Sequence, residues 1–160
     1  YDWGAPREPK LPMLPPCLYI LERLMQAHVP RTFKHLEEIG VEPAMYATPW
    51  LLTLFLVHMP FEVTLRIWDL FFERGFLSLY GVILALFKMF EDKFDKMEFE
   101  EVAMFLKFDQ LQGNAIPANE FIKLASRLKP SAKQVAGLQR DWQDLSEEER
   151  MRHFRGLPVV

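Results

Sequence analysis

The residues able to do chemistry are few and scattered. Four histidines stand at positions 28, 35, 58 and 153, and Cys17 is the one cysteine. His28 and His35 are seven apart, but Pro30 divides them, and no His-Glu-x-x-His run exists, so zinc ligation has no scaffold. Cys17 has no basic cluster beside it in sequence, and a buried structural thiol is the expected role. The seven glycines are isolated, at positions 4, 40, 75, 81, 113, 137 and 156. Neither a dinucleotide fingerprint nor a phosphate-cradling loop can be built from them. Asp92, Asp95 and Glu98–Glu101 form an acidic stretch, but Met97, Phe99 and Val102 interleave with the acids, which is the pattern of a solvated helix face. The sequence thus predicts no catalytic residue, no metal and no cofactor of its own.

Glu62, Arg66, Asp69 and Glu73 share one stripe at spacings of four, three and four. Arg66 is within helical reach of both Glu62 and Asp69, so an intrahelical ion-pair ladder is expected, with a polar edge toward a partner as the alternative. The net charge of −3 over 160 residues, with Lys and Arg dispersed, argues against nucleic acid. A single cysteine rules out an internal disulfide and fits a reducing, cytoplasmic setting. Tyr1–Pro16 lacks the apolar stretch of a secretory signal. The most apolar run, Phe76–Phe90, is interrupted by Ser78, Gly81 and Lys88 and is too short to cross a bilayer. Half the residues are hydrophobic, 14 of them Phe, so a core is assured and some apolar surface is left for a partner.

The elements that position these residues read as helices throughout, about eight in an all-α orthogonal or bundle-like array, with no strand-like alternation and no repeat. Residues 1–16 carry five prolines and form an extended arm. A helical subdomain spans 17–130, and a helical extension with a tail covers 131–160. Helices are expected from Cys17 to Pro30, over Arg31–Ile39 with Gly40 as cap, over Trp50–Met59 buried on most sides, after Pro60 to Gly75, and over Phe76–Lys93 as the long central helix. In the helix after Pro60, Phe61, Leu65, Trp68 and Phe72 form the packing stripe. Lys96–Phe108, a turn at Gln112-Gly113-Asn114, a helix from Pro117, one capped by Ser131 and a restart at Ser146 with Glu149 complete the chain.

Gly40-Val-Glu-Pro-Ala-Met-Tyr-Ala-Thr-Pro-Trp-Leu-Leu-Thr-Leu-Phe, followed by Met59-Pro-Phe-Glu-Val-Thr-Leu-Arg-Ile-Trp-Asp-Leu-Phe-Phe-Glu-Arg-Gly75, resembles the C-terminal part of TBC domains, the Rab GTPase-activating modules. Tyr19-Ile-Leu-Glu-Arg-Leu and His35-Leu-Glu-Glu-Ile-Gly40 are similar to the helices before these motifs, and the likeness runs over about Cys17–Phe90. One departure is Leu51, where Phe is usual. The resemblance implies a Rab GTPase as partner, a role in vesicle trafficking and a place at membranes through Rab proteins. It also implies an Arg from Ile-x-x-Asp-x-x-Arg and a Gln from Tyr-x-Gln-Gly, both acting on the transferred phosphoryl group. Neither motif occurs in these 160 residues. No Asp has Arg three residues later, and Tyr1, Tyr19, Tyr46 and Tyr80 are followed two later by Trp3, Leu21, Thr48 and Val82. Arg31-Thr32 fails as a finger because His28 stands three before it. The expectation is therefore a non-enzymatic piece of an activator, inactive alone, whose partners are a Rab and the N-terminal half of its own domain. Tyr46, Pro49, Trp50, Arg66 and Asp69 are the candidate partner-binding residues, with a core role as the alternative for Trp50. A helical scaffold that binds a protein other than a GTPase is the competing reading, and an unrecognised enzyme the third.

Overall fold

The computed structural model describes residues 13–107 and 116–153. They form ten helices and no strand: α1 (Leu14–His28), α2 (Pro30–Glu38), α3 (Pro43–Thr53), α4 (Phe61–Arg74), α5 (Leu77–Met89), α6 (Glu91–Phe94), α7 (Phe99–Phe105), α8 (Ala118–Leu128), α9 (Ala132–Asp144) and α10 (Glu147–Arg152). The all-α expectation holds. Residues 1–12, most of the proline arm, and the Gln112-Gly113-Asn114 turn lie outside the described residues.

α5 is the centre. Every residue from Ser78 to Phe87 is buried, as an all-round apolar helix requires. It packs most extensively on α8, and also on α4, α1 and α6. Gly81 permits the α8 contact: a Cβ there would stand 2.2 Å from the Ala125 carbonyl oxygen. The expected single helix over Phe76–Lys93 is broken at Phe90 into α5 and the one-turn α6. This break lets Phe94 fold back onto Phe87, with ring centroids 4.9 Å apart.

α1 begins at Leu14, earlier than the expected Cys17, because Pro15 and Pro16 occupy a first turn that needs no amide donors. Gly40 caps the end of α2, as predicted. Its φ of +82°, the Gly40 N–H to the Glu37 carbonyl at 3.1 Å and the Val41 N–H to the Leu36 carbonyl at 2.8 Å form a Schellman cap. α2 is latched to α6 by polar contacts. The buried Thr32 hydroxyl donates to Asp95 at 2.8 Å, and Arg31 pairs with both Asp95 and Asp92. The acids at 92 and 95 are therefore structural.

The expected helix over Trp50–Met59 is not present. α3 instead starts at Pro43, runs through Pro49 and ends at Thr53. Leu54 and Phe55 then adopt left-handed conformations, with φ of 47° and 64°. Each costs about 1–2 kcal/mol for a residue with a Cβ. Burying Phe55 completely against Trp50 gives back about 1.5–3 kcal/mol. The consequence is that Leu52, Leu56 and Val57 emerge on the surface rather than in the core.

α9 and α10 follow the short-range signals. The Ser131 hydroxyl accepts from the Gln134 amide at 3.1 Å, and Ser146 with Glu149 forms a capping box. α9 packs on α1, where Trp142 and Tyr19 meet at 5.6 Å, and His153 pairs with Glu22 at 3.1 Å.

Candidate interaction surface on α3 and α4

The segment that carries the sequence motif folds into α3, the turn 54–59 and α4. Tyr46 and Trp50 lie inside the core, not on a partner surface. Tyr46 packs on Phe87 at 4.9 Å and on Trp50 at 5.3 Å, and its hydroxyl donates to the Met25 sulfur at 3.1 Å. Burial, and secondarily the Glu22 carboxylate, raises its pKa well above the usual phenol value, so it stays neutral. Trp50 is fully buried, and its indole N–H has no hydrogen-bond partner among the described residues. Pro49 is half-buried at a cavity of about 450 Å³ that is also lined by Met45, Tyr46, Trp50, His58 and Lys107. The Nδ1 atom of His58 is buried without a partner among the described residues, and burial lowers the pKa of this imidazole.

α4 presents a different face from the one its sequence suggests. Its buried residues are Val63, Thr64, Ile67 and Leu70. The stripe expected to pack, Phe61, Leu65 and Phe72, is exposed, Phe61 to 68% and Phe72 to 75%. Trp68 sits at the edge of this stripe, half-buried, with its indole N–H on the Leu54 carbonyl at 2.9 Å. That bond fixes the 54–59 turn beside α4. The expected ion-pair ladder also does not form. Arg66 donates to the Asn119 side chain of α8 at 2.8 Å. Asp69 and Glu62 are exposed and have no partner among the described residues, and Glu73 lies 3.7 Å from Arg74. Of the five candidates, Arg66, Asp69 and Pro49 are accessible.

The apolar stripe was missed as a site because two apolar stripes run side by side along α4. Val63, Ile67 and Leu70 recur at spacings of four and three, as Phe61, Leu65, Trp68 and Phe72 do, and periodicity alone does not rank them. The β-branched Val63 and Ile67 were the one available hint.

The remaining chemical groups are engaged in structure. The His35 Nε2–H donates to the Met97 carbonyl at 2.8 Å. Burial raises the Cys17 pKa despite a hydrogen bond with Tyr80, so the thiol stays protonated at neutral pH. Among the described residues no three His, Cys, Asp or Glu side chains gather to hold a metal, and no helix is long and apolar enough to cross a membrane. What remains accessible is an apolar face edged by carboxylates, with one arginine braced from α8.

An all-helical domain with an exposed apolar stripe on α4 is the class this arrangement defines. Its sequence matches the Rab-GTPase-TBC domain family over residues 7–94, more than half of the chain, and the chain belongs to that family. It is 28% identical over 143 residues to the human ecotropic viral integration site 5 protein homolog, covering 89% of this chain and 18% of that protein. It is 30% identical over 132 residues to bovine TBC1 domain family member 14, covering 79% of this chain and 19% of the relative. Against GTPase-activating protein GYP5 of Saccharomyces cerevisiae it is 35% identical over 112 residues, covering 70% of this chain and 12% of GYP5. The chain thus spans less than a fifth of the length of these relatives. The expectation that the chain is no enzyme is overturned by this membership, since the family and the yeast relative are named for activation of GTP hydrolysis.

Proposed function

We propose that the chain works in Rab GTPase activation, forming the helical subdomain that braces a catalytic half and offering part of the surface that meets the GTPase. The observation that carries this reading is the overlap of the family match with the α3–α4 unit. There Arg66 is exposed and bonded to Asn119 of α8, and Asp69 stands exposed on the same helix. Such charges at an interface set orientation and on-rate. The Arg and Gln that act on the phosphoryl group in the family come from motifs these 160 residues do not contain, so in this reading they are supplied by polypeptide outside them. Recruitment to membranes in this reading follows the Rab.

The test is capture of a panel of purified Rab proteins by this chain, each loaded with a GTP analogue or with GDP. At least one Rab is expected to be retained preferentially in the GTP-analogue state, and Arg66→Ala with Asp69→Ala to weaken that retention. Equal capture of both nucleotide states across the panel, or none, overturns the proposal.

A further inference from the structure

The GTPase reading uses Arg66 and Asp69 of α4 but leaves the apolar stripe beside them without a role. Phe61, Leu65 and Phe72 form a bare stripe; Leu52 at the end of α3 and Leu56 and Val57 in the 54–59 turn are also exposed, and the Trp68 to Leu54 hydrogen bond ties that turn to α4. Three large apolar side chains exposed along one stripe of a helix are more than the single scattered residues a monomer ordinarily leaves in water, and contiguous apolar surface marks interaction sites.

The edge of the stripe identifies what fits it. Going round α4 from Phe61, Leu65 and Phe72, the next positions are Asp69, Glu62 and Glu73. Of the two cations near that flank, Arg74 lies 3.7 Å from Glu73, and Arg66 is drawn away to Asn119 on α8. Glu62 and Asp69 are left without a partner among the described residues. We infer that this face docks an amphipathic helix with a basic flank, supplied by polypeptide outside residues 1–160. Its apolar side chains, at spacings of three and four, cover Phe61, Leu65 and Phe72, and its Lys or Arg side chains meet Asp69 and Glu62.

Two other occupants fit worse. A second copy packed antiparallel through the same stripe sets Glu62 of each helix beside Asp69 of the other, a like-charge contact on both sides of the symmetry axis. An anionic membrane leaflet meets the same carboxylates with repulsion. The inference stands apart from the GTPase reading, since no Rab takes part in its test.

The experiment uses this chain and two designed peptides of about 20 residues, long enough to form a helix. Both carry Leu on one stripe, and they differ only in a Lys or a Glu flank. Binding is followed by fluorescence anisotropy at low salt. The Lys-flanked peptide is expected to bind at least about tenfold more tightly than its Glu-flanked partner. Phe61→Asp with Phe72→Asp is expected to abolish binding, and Asp69→Lys to reverse the preference. These positions are exposed, and circular dichroism checks that each variant stays folded. Absence of binding, equal binding of the two peptides, or binding that survives the double substitution overturns the inference. So does a dimer in light scattering that Phe72→Asp dissolves, or co-sedimentation with phosphatidylserine vesicles that Phe61→Asp and Phe72→Asp remove.

Discussion

Gly81 of α5 lies directly under the Ala125 carbonyl of α8, so close that a Cβ at Gly81 would stand 2.2 Å from that oxygen and 3.0 Å from the Lys129 amide nitrogen. Two effects compete when Gly81 becomes Ala. Helix propensity gains about 1 kcal/mol. The clash is with backbone rather than with the end of a flexible side chain, so α8 must move, and overpacking of this kind costs about 1–3 kcal/mol or more. Gly81→Ala is therefore expected to lower the urea midpoint despite its better propensity. An unchanged or raised midpoint would show that α5 and α8 are less tightly joined than described.

Asp95 and Asp92 both pair with Arg31, but they are not equivalent. Asp92 has a side chain 92% exposed, whereas that of Asp95 is 18% exposed and also accepts from the fully buried Thr32 hydroxyl. Asp95→Ala leaves that hydroxyl without its acceptor, which costs about 1–3 kcal/mol. Asp92→Ala removes a surface pair that salt and water already weaken, and no measurable change is expected. Equilibrium unfolding of the two variants side by side gives the comparison. Equal losses would mean that Arg31 rather than Thr32 carries the α2–α6 latch.

Legibility in the sequence tracked the range of the interaction. The Gly40 cap, the Ser131 cap and the Ser146–Glu149 box depend on residues within a few positions of one another, and each stands where the sequence placed it. The orientation of α4 was not legible, because its choice between two adjacent apolar stripes is made by α5 and α8. The end of α3 was obscured for another reason. Pro49 read as a boundary, yet a helix tolerates one lost hydrogen bond, while the actual stop is a left-handed turn with no glycine to announce it. Arg66 illustrates the same limit within the candidate site, since its partner lies 53 residues away.

His58 gives the fold a pH dependence. Burial lowers its pKa in the folded state from the ordinary 6.5, so the unfolded chain binds the proton more readily. Stability from this residue is full above about pH 6.5 and declines as the pH falls below it toward the lower folded-state value. Urea midpoints at pH 7.5 and pH 5.5 are expected to differ less in His58→Gln than in the parent chain. An undiminished difference would place the acid sensitivity elsewhere.

The bond between Arg66 and Asn119 makes a last prediction that links the fold to the docking face. Asn119 sits in the first turn of α8, and its amide oxygen holds the guanidinium away from the carboxylates of α4. Asn119→Ala frees Arg66 to turn back along its own helix, where Glu62 lies four residues before it and Asp69 three after, both at ion-pairing distance for a helix. The substitution touches only exposed groups, so stability should change by no more than about 0.5 kcal/mol. The flank beside the apolar stripe, however, loses part of its unpaired negative charge. Binding of the Lys-flanked peptide is expected to weaken severalfold, and the gap between Lys- and Glu-flanked peptides to narrow. Restoring a free carboxylate edge by adding Arg66→Ala to Asn119→Ala should return the preference. If Asn119→Ala leaves peptide selectivity untouched while Asp69→Lys reverses it, Arg66 stays clear of the acids without Asn119, and the brace has no part in setting the charge of this face.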